Sequence, residues 1–185
     1  MGKKVCIFGS NRELGKARKE EFTRLGRLLA EKGFIVVSGG FGGAMEDVSK
    51  GAKSAGGETI GVTFYRKQDL PGKGSNPYID QEIKEKDIFS RITKMMKISD
   101  AFVILPGGTG TLLELAAVLE HINKDLSKPK PVILLGDFWK GVIDNIKDEP
   151  ILSERAKITL SALSCADLVA FVNTAEEIIT KLESI

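Results

Sequence analysis

Apolar residues recur along this chain in two patterns. Short unbroken runs at residues 5–8, 34–37, 101–105 and 132–135 have the length and branched composition of strands buried on both faces, and the mixed segment 58–64 reads as a further strand after the Gly56-Gly57 turn. Between them lie stretches with a helical repeat. Phe22, Leu25, Leu28 and Leu29 mark one over residues 17–32, which Gly33 then stops. Further helices are predicted over 44–55, 88–99, 111–123, 138–147 and 153–161 and from Thr174 onward, with short strands at 83–86 and 168–172. Strands alternating with helices predict an α/β fold: a Rossmann-like, doubly wound, mostly parallel sheet with helices on both faces. No internal repeat or low-complexity tract divides the chain, so residues 1–185 read as one domain. The segment 65–81 has no periodicity and contains Pro71, Gly72, Gly74 and Asn76-Pro77, a long loop for a compact domain and a candidate lid.

Composition narrows the class. With 42% hydrophobic and 28% charged residues, the chain carries enough apolar material for a sizeable core. The net charge of +2, with both signs interspersed, argues against an electrostatic nucleic-acid binder and for a small-molecule partner. Residues 1–4 pass directly into the first strand, so neither a signal peptide nor a membrane span is expected, and the location predicted is the cytoplasm. Cys6 and Cys165 both lie in apolar, strand-like runs and read as core thiols. Neither a metal nor another cofactor is expected, because no ligand cluster is visible.

The chemistry concentrates where strands end in glycines. Pro106-Gly107-Gly108-Thr109-Gly110-Thr111 follows the run 101–105 and opens a helix carrying Glu114. Unpaired N–H groups at a helix N-terminus, with the helix dipole behind them, make such a turn receptive to phosphate. Ser38-Gly39-Gly40-Phe41-Gly42-Gly43 repeats the pattern after the second strand, so two turns point to one nucleotide pocket beyond the strand C-termini. Glycine also serves turns that merely need positive φ. Three further residues are candidates. Glu114 and His121 fall on one face of helix 111–123, where they would share a pocket; equally, an acid in a first turn simply favours the dipole, and a histidine near a helix end is commonly a cap or surface residue. Arg91 is a third candidate, or else one more solvated charge beside Lys94 and Lys97.

The run Pro106-Gly107-Gly108-Thr109-Gly110-Thr111-Leu112-Leu113-Glu114 matches the pattern P-G-G-x-G-T-x-x-E and resembles the Lonely Guy family of nucleoside 5′-monophosphate phosphoribohydrolases, long labelled possible lysine decarboxylases. The likeness continues through Phe8-Gly9-Ser10, the turn from Gly39 to Met45, Ala55-Gly56-Gly57 and Lys128-Pro129. It implies Arg91 and Glu114 as catalytic residues, Arg91 standing fifteen positions before Pro106. It further implies a substrate and phosphate site built from Gly9, Ser10, Gly39, Gly40, Gly42, Gly43, Met45, residues 106–111 and His121. Adenosine-type substrates follow, including cytokinin nucleotides, with cleavage of the N-glycosidic bond to free base and ribose 5-phosphate.

Two departures stand against this. The arginine-lysine pair of many relatives reads Arg91-Ile92, and the first turn is one residue shorter and reaches Glu46 where the hydrolases have glycine. The shorter turn and Asn76-Pro77-Tyr78 are similar to the molybdenum-cofactor carrier branch, so a non-catalytic carrier of that cofactor or another phosphorylated ligand is the alternative. Helices 88–99 and 111–123 carry more apolar residues than one core-facing stripe needs, which predicts a homodimer through them, a tetramer being the carrier branch's habit.

Overall fold

A computed structural model describes residues 2–65 and 74–183. Its elements, in order, are β1 (Lys4–Phe8), α1 (Lys16–Glu31), β2 (Ile35–Ser38), α2 (Ala44–Ser54), β3 (Thr59–Phe64), β4 (Gln81–Glu85), α3 (Ile88–Ile98), β5 (Ala101–Ile104), α4 (Thr109–Asn123), β6 (Val132–Leu135), α5 (Lys140–Asn145), α6 (Glu154–Leu160), β7 (Val169–Val172) and α7 (Ala175–Glu183). The strands form one sheet in the order β4-β3-β2-β1-β5-β6-β7, and every pairing is parallel. This is the doubly wound Rossmann-like architecture.

Alternation along the strands divides the core. In β1, Cys6 and Phe8 face the layer of α3 and α4, whereas Val5 and Ile7 face that of α1, α2 and α7. Glycine sets the closest helix approach: a Cβ on Gly26 of α1 would strike the Val48 carbonyl, and one on Gly51 of α2 the Thr23 carbonyl. The connection from β1 leads to β2 on one side, and β5 lies on the other, so a crevice opens beyond the C-termini of β1 and β5. Two backbone bonds fix its floor, Leu105 N–H to the Phe8 carbonyl at 2.8 Å and Ser10 N–H to the Pro106 carbonyl at 3.3 Å.

Some boundaries differ from those the periodicity predicts. Helix α4 starts at Thr109 rather than Thr111, because Gly108 takes the N-cap position in extended conformation. Cys165 is buried but not in a strand-like run; residues 165–168 form a short 3-10 turn that Ser164 and Asp167 close reciprocally. The candidate lid falls partly on residues 66–73, which lie outside the described residues. Among those described, no helix is long and apolar enough to cross a membrane.

Candidate active site

Arg91 reaches the crevice because α3 begins where it does. Asp87 Oδ1 accepts from the N–H groups of Phe89 at 2.9 Å and Ser90 at 2.8 Å, while Ser90 Oγ accepts from Asp87 N–H, a reciprocal cap. One turn later Arg91 points inward and is only 5% exposed. Its Nε donates to the Val62 carbonyl at 2.7 Å and its Nη1 to Glu114 Oε1 at 3.0 Å. The guanidinium lies 5.4 Å from the ring centre of Phe41 and 5.7 Å from that of Phe64, and the two rings meet nearly edge to face. Gly39 is required beside it, since a Cβ there would overlap Nη2.

Glu114 projects from the second turn of α4 and is 6% exposed. Burial penalises its charged form and pushes its pKa from 4.5 up to about 7, against the opposing charge and hydrogen bond of Arg91. A carboxyl that ionises near neutrality beside a fixed guanidinium is suited to take a proton or to face developing positive charge.

The other end of the crevice is the start of α4. No side chain caps this helix among the described residues, and its first intrahelical bond here runs from Leu112 N–H to the Gly108 carbonyl. The N–H groups of residues 109–111 therefore open toward the crevice mouth. Gly107 has no alternative, because a Cβ would collide with Thr111 Oγ1. Buried Trp139 donates its indole N–H to the Leu105 carbonyl at 3.0 Å and so anchors the approach to this turn. Together these residues bound a cleft of about 680 Å³, in which Gly9, Ser10, Met45, Arg91, Glu114 and residues 107–111 come together. A groove of about 800 Å³ between α1 and α2 is larger, but exposed Lys16, Lys19, Arg24, Arg27 and Lys50 line it, and among the described residues no buried acid or base does.

A family model described as possible lysine decarboxylase matches residues 45–182, well over half of the chain. The chain belongs to that family. The cytokinin riboside 5′-monophosphate phosphoribohydrolase LOG of Oryza sativa subsp. japonica is 30% identical to it over 175 residues, covering 90% of this chain and 71% of the relative. Among solved structures, TM1055 superposes with a TM-score of 0.74 at 28% identity over 99% of both chains. The molybdenum cofactor binding protein of Rippkaea orientalis does so with a TM-score of 0.69 at 26% identity, over 100% of this chain and 97% of that one.

Within this member of the possible lysine decarboxylase family, several expected residues lie elsewhere. His121 does not share the pocket of Glu114; it sits in the last turn of α4, its Nδ1 is 2.8 Å from the Ala117 carbonyl, and it does not line the cleft. Seven residues at 1.5 Å each put it about 10 Å along the axis, so one face did not mean one site. The first glycine turn gives the cleft Phe41 and Met45, while its glycines serve packing. Gly40, at φ +71°, lies flat against Gly61 and Thr63, and Gly43, at φ +63°, against residues 10–12, whereas Gly42 is in ordinary contact with the Glu46 side chain and the Asn11 carbonyl. Pro106 acts through its carbonyl on Ser10. Ile92 is 3% exposed and belongs to the core, so here the position beside Arg91 turns away from the cleft. Sequence reasoning missed Asn11, Arg12, Glu13, Leu14, Phe64 and Ile88, which complete the lining. Phe41, inside the glycine turn, and residues 11–14, at the end of β1, carried a positional signal; Phe64 and Ile88 carried none.

Proposed function

We propose that this protein hydrolyses the N-glycosidic bond of a purine nucleoside 5′-monophosphate, AMP or a cytokinin-type nucleotide, to free base and ribose 5-phosphate. The observation that carries this reading is the buried Arg91–Glu114 pair opening on the same cleft as the uncapped start of α4. In this reading the 5′-phosphate accepts hydrogen bonds from the N–H groups of residues 108–111 and the hydroxyls of Thr109 and Thr111. As the C1′–N bond lengthens, its electron pair leaves with the base and positive charge builds on the ribose. The Glu114 carboxylate stabilises that charge and takes a proton from the water whose oxygen bonds to C1′. Arg91 orients the carboxylate, and the departing base is protonated from solvent.

The same reading makes the protein a cytoplasmic homodimer. Leu115, Val118, Leu119 and Ile122 of α4, with Ile92, Met95 and Met96 of α3, are buried within one subunit, so only part of the apolar excess is left for a partner. That part is Phe89, 68% exposed, and Leu112, 37% exposed, flanked by Leu113, Ala116 and Ala117. A carrier of molybdenum cofactor or another phosphorylated ligand is the second reading, favoured by the likeness to the Rippkaea orientalis protein and by Ile92 facing the core. Chromatography of AMP incubated with the protein separates the two: adenine accumulating with turnover supports hydrolysis, and bound but intact AMP supports carriage.

A further inference from the structure

Residues 74–80 take no part in the chemistry above, yet they grip one wall of the cleft. Asn76 donates its backbone N–H to the Gly40 carbonyl at 2.8 Å and its Nδ2 to the Phe41 carbonyl at 2.9 Å. Its Oδ1 accepts from Tyr78 N–H at 3.0 Å, which fixes the carboxamide's orientation. The base of the segment is tied separately to β3, where Thr59 Oγ1 donates to the Tyr78 carbonyl at 2.6 Å and Thr59 N–H to Asp80 Oδ2 at 2.9 Å. The turn that Asn76 holds carries the ring lying 5.4 Å from the Arg91 guanidinium.

We infer that Asn76 is a positioning residue for the Arg91–Glu114 pair: by fixing the backbone of Gly40 and Phe41 it keeps the Phe41 ring seated over the guanidinium and water away from the pair. The inference rests on reading that pair as the working centre, but its consequence is measurable without turnover. Burial is the largest influence raising Glu114, so wetting the pair lowers its titration midpoint. Among the described residues, the other charged or titratable groups at this end of the cleft are Arg91 from α3, Arg12 and Glu13 at the cleft rim after β1, and the Cys6 thiol, itself pushed up by burial and by the charge of Glu114. The hydrogen bonds of Asn76 go to Gly40, Phe41, Tyr78 and Ile79, so a change at residue 76 reaches these groups through the Phe41 turn.

The test is the side-chain carboxyl resonance of Glu114 in protein labelled with 13C-glutamate, assigned with Glu114→Gln and titrated. The wild-type midpoint is expected at about 7. Asn76→Ser keeps a hydroxyl that can accept from Tyr78 N–H but cannot reach the Phe41 carbonyl, and it is expected to lower the midpoint by about one unit. Phe41→Leu lowers it similarly, and the double variant lowers it no further than Phe41→Leu alone, because residue 76 acts through the ring. Thr59→Val removes the hydroxyl bond to the Tyr78 carbonyl in the other anchor and leaves the midpoint in place. A wild-type midpoint in Asn76→Ser, or an equal shift in Thr59→Val, overturns the inference. These shifts without adenine release from AMP would leave the clamp standing and remove the hydrolase reading; normal release with an unmoved midpoint in Asn76→Ser would do the reverse.

Discussion

Varying pH titrates Glu114, the carboxyl on which the proposed hydrolysis depends. With Glu114 ionising at about 7 and its carboxylate the active form, kcat/KM for AMP is expected to follow the ionised fraction. That fraction is about a tenth at pH 6 and about a hundredth at pH 5, so activity climbs roughly tenfold per unit before levelling above pH 8. The assay is initial-rate adenine release from pH 5 to 9 at constant ionic strength. The substrate phosphate has its own ionisation near pH 6, in the same window. AMP affinity of Glu114→Gln over the same range isolates that contribution, because this variant keeps the phosphate site and lacks the carboxyl. Stability moves in a linked way. The folded protein holds the Glu114 proton up to about pH 7 and the unfolded chain releases it near 4.5, so stability attributable to this group falls as pH rises through that interval. The full penalty stands above pH 7 and is absent below 4.5; two and a half units correspond to roughly 3 kcal/mol. Urea unfolding of wild type and Glu114→Gln should therefore show the variant gaining relative stability by up to that amount between pH 4.5 and 8. A flat rate profile, or one with its midpoint near 4.5, refutes the assignment of a desolvated Glu114 as the working carboxylate.

Other outcomes follow from the same geometry. Arg91→Ala leaves Glu114 buried without its partner, and adenine release should fall by at least about a hundredfold; an Arg91→Ala enzyme with wild-type rates would return Arg91 to a structural role. Adenosine should bind far more weakly than AMP by calorimetry, since the N–H groups of residues 108–111 would have nothing to hold, and equal affinities would contradict the phosphate cradle. Trp139→Phe removes the donor to the Leu105 carbonyl and should cost about 1–3 kcal/mol in urea unfolding; unchanged stability would show that bond to be idle. Light scattering at micromolar concentration should give twice the 20.1 kDa chain mass, whereas a clean monomer would defeat the interface at Phe89 and Leu112.

The parts legible in the sequence were those whose signal is local. A run of apolar residues ending in Pro106-Gly107-Gly108 and passing into a helix states a strand, a glycine turn and a helix start, and the structure has that order of elements. Arg91 was ambiguous because its helix neighbours Lys94 and Lys97 are not buried, and periodicity could not say which cation turns inward. What decides it is tertiary: the Val62 carbonyl, Glu114 and the Phe41 and Phe64 rings come from three other parts of the chain. His121 failed for the opposite reason, since a helical projection preserves direction and discards distance along the axis. The glycines of the first turn were visible, but whether they face a ligand or the neighbouring backbone depends on how β3 and residues 10–12 pack against them. Cys165 read as strand because its apolar neighbours belong to a 3-10 turn too short to have a period of its own.

In the proposed hydrolysis Glu114, held by Arg91, drives water onto C1′ of a nucleoside 5′-monophosphate. Incubating AMP with the protein in 18O-labelled water, and weighing the ribose 5-phosphate by mass spectrometry, tests this most directly. Wild type is expected to give adenine and ribose 5-phosphate in equal amounts, with one 18O at C1 of the sugar, and Glu114→Gln a yield lower by orders of magnitude at comparable AMP affinity. Intact AMP recovered from saturated wild-type protein, or equal cleavage by Glu114→Gln, would contradict it.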